Sequence, residues 1–331
     1  IVVLVAMFGM YLYTYRRKLL YNLRHMLFFT ILVALLVATA FIVLRHVAAG
    51  YIYLIPFAWV PIIARVFYDS RTAIFIHLIT ILIVSIAAPA PYVFVLLQVI
   101  TGIVAVISLR DMTQRAQLAQ TALFVFLTYS IVYTAITMLV TGEIMNVEYH
   151  YYIYFAINAV LVICAYGLIF LFERTFGLVS NITLVELTNV NSNLMLEFAE
   201  KAPGTFQHSL QVSNLATEAA KRIGAKVLLV RTGALYHDIG KMAHPECFIE
   251  NQTGVNPLQA MSCAEAAKVI ISHVEEGERI ARKHRLPEVI VHFIRSHHGT
   301  SVTRYFYNTA VNAAKTAGKT ATDVNKEDYS Y

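Results

Sequence analysis

Charge is what this chain has least of. Only 14% of its 331 residues are Asp, Glu, Lys or Arg, against about 25% in an ordinary soluble protein, and this excludes a chain surrounded by water along its whole length. Cysteine is scarce too. Cys164, Cys247 and Cys263 are the only three and show no Cys-x-x-Cys spacing, so neither a disulfide framework nor a zinc ribbon is available, and a reducing compartment fits. The start, Ile1-Val2-Val3-Leu4, lies already inside an apolar run, with no initiator Met and no signal-peptide architecture. With Asp328-Tyr329-Ser330-Tyr331 at the other end, the chain reads as truncated at both ends. Within the apolar runs polar side chains nearly vanish, leaving His77, Gln98 and Asn158, with Arg45 and His46 near one end of a run. Intramembrane ionisable groups are functional suspects, but a solitary histidine such as His77 reads first as a hydrogen-bonded member of a bundle. The missing chain of buried charges argues against a pump or a proton-coupled transporter.

What is present in excess is apolar surface: 58% of the residues are hydrophobic and the mean hydropathy is +0.62. It is concentrated in residues 1–172, in runs at about 1–15, 26–44, 47–68, 72–88, 92–109, 118–141 and 151–172. A helix needs roughly 20 residues to cross the hydrocarbon core, so these runs predict a seven-helix transmembrane bundle, with Pro56 and Pro61 kinking the third span. Residues 173–202 predict a connector, interrupted by Asn189 and Asn191, and residues 203–331 an α-helical domain in water. The expected fold is all-α throughout, with a turn at Ala202-Pro203-Gly204-Thr205 and a helix starting at Phe206 or Gln207.

The net charge of +6 does not point to a nucleic acid polymer, because the basic residues of the first half sit in short loops between apolar runs. Arg16, Arg17, Lys18, Arg24, Arg65, Arg71, Arg110 and Arg115 fall on one side, against Arg45 alone on the other. This positive-inside bias places the N-terminal end outside and the water-facing domain in the cytosol. It also implies a preceding extracytoplasmic segment and an earlier span.

In the water-facing part, metal-type side chains recur. His208 is followed after 29 residues by His237-Asp238, after 35 more by His273 and after 24 more by His297-His298. Each interval is about one helix and a loop, so the groups are expected on separate helices converging on one centre. Imidazoles suit manganese, iron, zinc or nickel. Neighbouring residues on a helix diverge by about 100°, so His237 can bind one ion while Asp238 reaches between two. Two ions about 3.5–4 Å apart clamp the attacking and leaving oxygens of a phosphoryl displacement. His244, His284 and His292 read as bystanders on polar faces, and Asp323 and Asp328 as part of a mobile Lys- and Thr-rich loop.

Gly204-Thr205-Phe206-Gln207-His208-Ser209, Ala234-Leu235-Tyr236-His237-Asp238-Ile239-Gly240-Lys241, Phe248-Ile249-Glu250-Asn251-Gln252, His273-Val274-Glu275-Glu276-Gly277 and His297-His298-Gly299 resemble the seven-transmembrane HD phosphodiesterases of the PgpH type. The resemblance covers both the membrane and the water-facing parts. It implies a bacterial cell-membrane enzyme, regulated through its membrane part, that cleaves cyclic di-AMP to linear pApA. The cleavage implied is attack of a metal-activated hydroxide in line on phosphorus, with the ribose 3′-oxygen leaving. It further implies two divalent ions, iron or manganese, with His208, His237 and Asp238 at the first and His273, His297 and His298 completing the second, Asp238 being shared. Lys241, one turn beyond Asp238, is the expected phosphate partner. The family also has an extracytoplasmic domain, and a further Asp ligand after a Tyr-Pro-Gly segment, neither of which occurs in this sequence. Cyclic di-GMP is the nearest alternative substrate, since HD-GYP proteins share the His-Asp-Ile-Gly-Lys run, although no Gly-Tyr-Pro follows the histidine pair here. Hydrolysis of another nucleotide, or a receptor that binds nucleotide without turnover, are the remaining readings. The residues leave a homodimer undecided.

Overall fold

A computed structural model describes residues 1–109, 112–143, 147–318, 320 and 323–331; Arg110 lies outside the described residues. The chain divides into two units, Ile1–Ile182 and Thr183–Tyr331, and every named element in both is helical.

Among the described residues, the first unit contains seven apolar helical segments. They are α1 (Val2–Tyr15), α2 (Leu23–His46), a broken segment ending in α3 (Trp59–Phe67), α4 (Ser70–Ser85), α5 (Pro91–Ser108), α6 (Ala116–Thr141) and α7 (His150–Phe176). Five of the segments are long and apolar enough to cross a membrane, counting Ala49–Phe67 as one. α1 and α4 are shorter apolar helices; the 16 residues of α4 span about 24 Å at 1.5 Å per residue, and α4 stops at Ser85 rather than at 88. The face turned away from the core carries Leu123, Phe124, Leu127, Ile131 and Leu139 on α6, as suits a lipid-facing helix. Inside, Phe28, Phe57, Phe94, Phe155 and Phe172 are among the buried core.

The third segment is a 3-10 turn, Ala49–Leu54, followed by an unwound stretch before α3. Pro56 lacks an N–H and disfavours helix at the residue before it, which frees carbonyls that lipid cannot satisfy. Asn158 of α7 closes that gap: its Nδ2 donates to the carbonyls of Tyr53 at 3.0 Å and Ile55 at 2.9 Å. The Trp59 indole donates in turn to the Leu161 carbonyl at 2.8 Å. His77 is buried against Gly102, with Nε2 2.9 Å from the Gln98 carbonyl, and the Tyr129 hydroxyl donates to the Gln98 side chain at 2.6 Å. The polar residues read inside the spans are therefore hydrogen-bonded within the bundle.

The connector is more helical than an interrupted stalk suggests. α7 runs on to Phe176 and ends at Gly177 with a left-handed φ of 65°, and a helix at Asn181–Leu187 precedes α8 (Asn193–Lys201). The second unit then holds α9 (Pro203–Arg222), α10 (Val227–Tyr236), a 3-10 turn Ile239–Ala243, α11 (Cys263–Ile271), α12 (His273–Lys283), α13 (Glu288–Ser296) and α14 (Arg304–Thr316). The start expected for α9 at Phe206 or Gln207 was late. The helix opens at Pro203, where a missing N–H is harmless because a first-turn N–H has no partner within the helix. α11 starts on a capping box formed by Ser262 and Glu265, two residues that satisfy each other's orphan donors.

One close approach positions the site. A Cβ on Gly240 would overlap the His273 carbonyl and crowd the Gly277 amide. Only glycine at 240 lets the 3-10 turn after Asp238 lie directly on α12, beside His273. The C-terminal stretch is also anchored where a mobile loop was expected: Tyr329 is buried, its carbonyl accepts from the Thr303 amide at 2.8 Å, and Val302 and Ser330 form an antiparallel bridge.

Candidate metal centre

The donors sit at the ends and joints of helices rather than along them. α10 ends at Tyr236, so that His237 and Asp238 occupy its C-terminal break. His273 opens α12, while His297 and His298 follow the last residue of α13. His208 alone lies inside a helix, on an exposed face of α9. Helix ends leave backbone carbonyls free, and three of the imidazoles use them. Nδ1 of His237 meets the Ala234 carbonyl at 2.7 Å, Nδ1 of His273 that of Ile270 at 2.5 Å, and Nδ1 of His297 that of Ile294 at 2.7 Å. A carbonyl only accepts, so each Nδ1 carries the hydrogen and each Nε2 presents its lone pair.

Those lone pairs point at one carboxylate. Asp238 is 3% exposed, with Oδ2 3.1 Å from Nε2 of His237 and Oδ1 3.4 Å from Nε2 of both His273 and His297. The last two contacts lack hydrogen-bond geometry, which leaves Oδ1 a buried oxygen without a partner. Nε2 of His273 and His297 also face each other at 3.3 Å. Lone pairs converging on a buried anion repel one another unless a cation lies among them. The donor set thus fits a metal ion, with backbone carbonyls fixing the tautomer of three of the imidazoles.

Among the described residues, two groups of donors are close enough to hold an ion: His208, His237 and Asp238 in one, and Asp238, His273, His297 and His298 in the other, with donor atoms within 4.8 Å of one another in each. All six candidate ligands are brought together, and Asp238 belongs to both groups. His244, His284, His292, Asp323 and Asp328 belong to neither.

The field of the site favours positive charge. Burial opposes ionisation of Asp238, but the imidazoles of His237, His273 and His297 around it outweigh burial and hold the carboxyl far below the usual range. Burial also works against protonation of His237, yet Asp238 raises its pKa overall. His298 is lowered to about 4, by burial first and then by its neighbours His297 and His273, so its imidazole is neutral at physiological pH. Lys241 is neither an exposed surface lysine nor a free cation. Its ammonium donates to Asp238 Oδ2 and to Glu250 Oε1, each at 2.9 Å, and lies 4.9 Å from the centre of the Phe248 ring.

Two features at the site escaped sequence reasoning. Tyr331 stacks on His298, with ring centres 3.8 Å apart and planes 16° from parallel; no local signal marks it. Glu250 and Asn251 were visible only as parts of a motif, and their partners, Lys241 and Thr205, lie 9 and 46 residues away.

Residues 1–180 match the family described as 7TM receptor with intracellular HD hydrolase, and residues 205–328 match the HD domain. The cyclic-di-AMP phosphodiesterase PgpH of Listeria monocytogenes is 33% identical over 86% of this chain and 39% of its own length. The protein of the same name from Bacillus subtilis is 32% identical over 77% of this chain and 37% of its own. The chain therefore spans about two fifths of the length of these curated relatives. The solved HD domain of L. monocytogenes PgpH in complex with cyclic-di-AMP is 39% identical over 44% of this chain and 64% of that one, with a TM-score of 0.40. From the match across its membrane half, the chain belongs to the family of 7TM receptors with an intracellular HD hydrolase.

Proposed function

We propose that the chain is the membrane and hydrolase part of a metal-dependent phosphodiesterase that cleaves cyclic di-AMP to linear pApA. The observation that carries the reading is the set of imidazole lone pairs turned on the unpartnered oxygen of Asp238. The choice of substrate rests on the two relatives named for cyclic di-AMP cleavage. The basic loops between the apolar segments support a multi-pass protein of the bacterial cell membrane with the hydrolase unit in the cytosol.

His208, His237 and Asp238 would hold one divalent ion, and Asp238, His273, His297 and His298 a second, manganese or iron. Such ions supply Lewis acidity toward phosphoryl oxygens and an activated water at neutral pH. The protein's own part is orientation. The Ala234, Ile270 and Ile294 carbonyls lock three imidazoles with Nε2 inward, and Asp238 supplies the negative charge they share. Lys241 holds the outer oxygen of Asp238 and keeps a positive charge at the rim, where a phosphate would approach.

The test offers cyclic di-AMP and cyclic di-GMP separately to the full membrane protein in nanodiscs, loaded with manganese or iron, and identifies products by chromatography. Linear pApA from cyclic di-AMP, with much slower turnover of cyclic di-GMP, is expected. Two bound ions with no cleavage of either nucleotide would sink the enzyme reading in favour of a receptor. Preferred cleavage of cyclic di-GMP would correct the substrate.

A further inference from the structure

Three short segments far apart in sequence meet beside the candidate centre. At the start of α9, a Cβ on Gly204 would overlap the Glu250 carbonyl, so the backbones of the two segments touch. Thr205, fully buried, is gripped twice by Asn251: its N–H donates to Oδ1 at 3.1 Å and its Oγ1 accepts from Nδ2 at 2.8 Å. The Thr205 hydroxyl then donates to Glu250 Oε1 at 2.9 Å, and the same oxygen accepts from Lys241 at 2.9 Å. Lys241 continues to Oδ2 of Asp238 at 2.9 Å.

Both ends of this chain of bonds lead to the same metal position. His208 is one turn beyond Thr205 on α9, and residues three apart share a helix face. Oδ2 is the Asp238 oxygen that faces His237, whereas Oδ1 faces His273 and His297. His273 and His297 are oriented by carbonyls just before them in the chain, and neither is hydrogen-bonded to Thr205, Asn251, Glu250 or Lys241.

We propose that Glu250, with Thr205 and Asn251, is a positioning device for the His208–His237–Asp238 position alone. It sets the distance between α9 and the turn after α10, and through Lys241 the positive charge beside Asp238 Oδ2. The inference rests on the two-ion reading above and adds an asymmetry to it.

The experiment is metal titration of the full membrane protein in nanodiscs, reading bound manganese per chain by elemental analysis and the coupled two-ion signal by electron paramagnetic resonance. In the unsubstituted protein two ions bind. Glu250→Gln, which keeps the shape but removes the charge that holds Lys241, should weaken one ion by about 10–100-fold, as loss of an outer-shell partner does. It should leave the other within about twofold, and the coupled signal should give way to that of an isolated ion. Thr205→Val should act in the same way and Thr205→Ser should restore both ions, which separates positioning from a general loss of fold. Two ions held by Glu250→Gln with unchanged affinities, or both weakened alike, overturn the positioning device while leaving the two-ion reading intact. Fewer than two ions in the unsubstituted protein overturn that reading, and the proposal with it.

Discussion

His77 and His273 are both essentially buried, at 1% and 2% exposure, yet their surroundings differ in kind. His77 sits alone among apolar helices, with its Nε2 at a backbone carbonyl and its ring on Gly102. His273 gives Nδ1 to a carbonyl and turns Nε2 toward a carboxylate and a second imidazole. Burial therefore does not mark a functional histidine. Convergence of several lone pairs on one anion does, because only a cation makes that arrangement favourable. Asn158 and Asp238 differ in the same way. Asn158 turns both amide hydrogens onto backbone carbonyls, whereas Asp238 has three imidazole nitrogens turned on its carboxylate.

The strongest way to break this contrast is to remove its centre. Asp238→Ala should abolish turnover and empty both metal positions, since both groups share it; retention of two ions by elemental analysis would show that Asp238 does not bridge. Pairing His273→Ala with His77→Ala comes next. The first should cost at least about 100-fold in turnover, beyond the 10–100-fold of an outer-shell change, while the second should leave turnover within about twofold. Comparable losses in the two would dissolve the distinction between a solitary buried histidine and a converging one.

Gly240→Ala tests the packing beneath the site. The added methyl meets the His273 carbonyl, and overpacking of this kind costs about 1–3 kcal/mol, so both thermal stability and metal affinity should fall. An alanine variant with unchanged metal binding would mean that the turn need not lie on α12. The smallest effect on chemistry is expected from Asn158→Ala. It strands two carbonyls at the break in the third segment, at about 1–3 kcal/mol for each buried group left unpaired. Unfolding in detergent should come at a lower temperature, with metal content per chain unaltered.

Much of the architecture was legible because burial in lipid imposes composition. Long apolar runs with basic residues between them announce spans wherever they occur, and the seven segments lie close to the expected ones. Boundaries were less legible. Pro203 read as part of a turn, although proline also fits the first turn of a helix, and only packing chooses between these. The region before Tyr331 read as mobile from its composition, whereas Thr303 and Val302 hold it through backbone bonds that no local signal encodes. Lys241 was read as a phosphate partner alone, because Glu250, the carboxylate that also holds it, reaches it only through the fold.

By itself, the sequence determined that half of this chain belongs in lipid and that the other half carries six metal-type side chains at helix-and-loop intervals. Both follow from residue chemistry, which needs no coordinates. Only the tertiary structure decided that every donor but His208 stands at a helix end, where free carbonyls fix the tautomers of His237, His273 and His297, and that Asp238 turns Oδ2 to His237 and Oδ1 to His273 and His297. It also decided which distant segments meet there. Contacts such as Gly240 on His273 and Thr205 on Glu250 depend on how helices pack, and spacing along a chain does not specify which helix end will meet which.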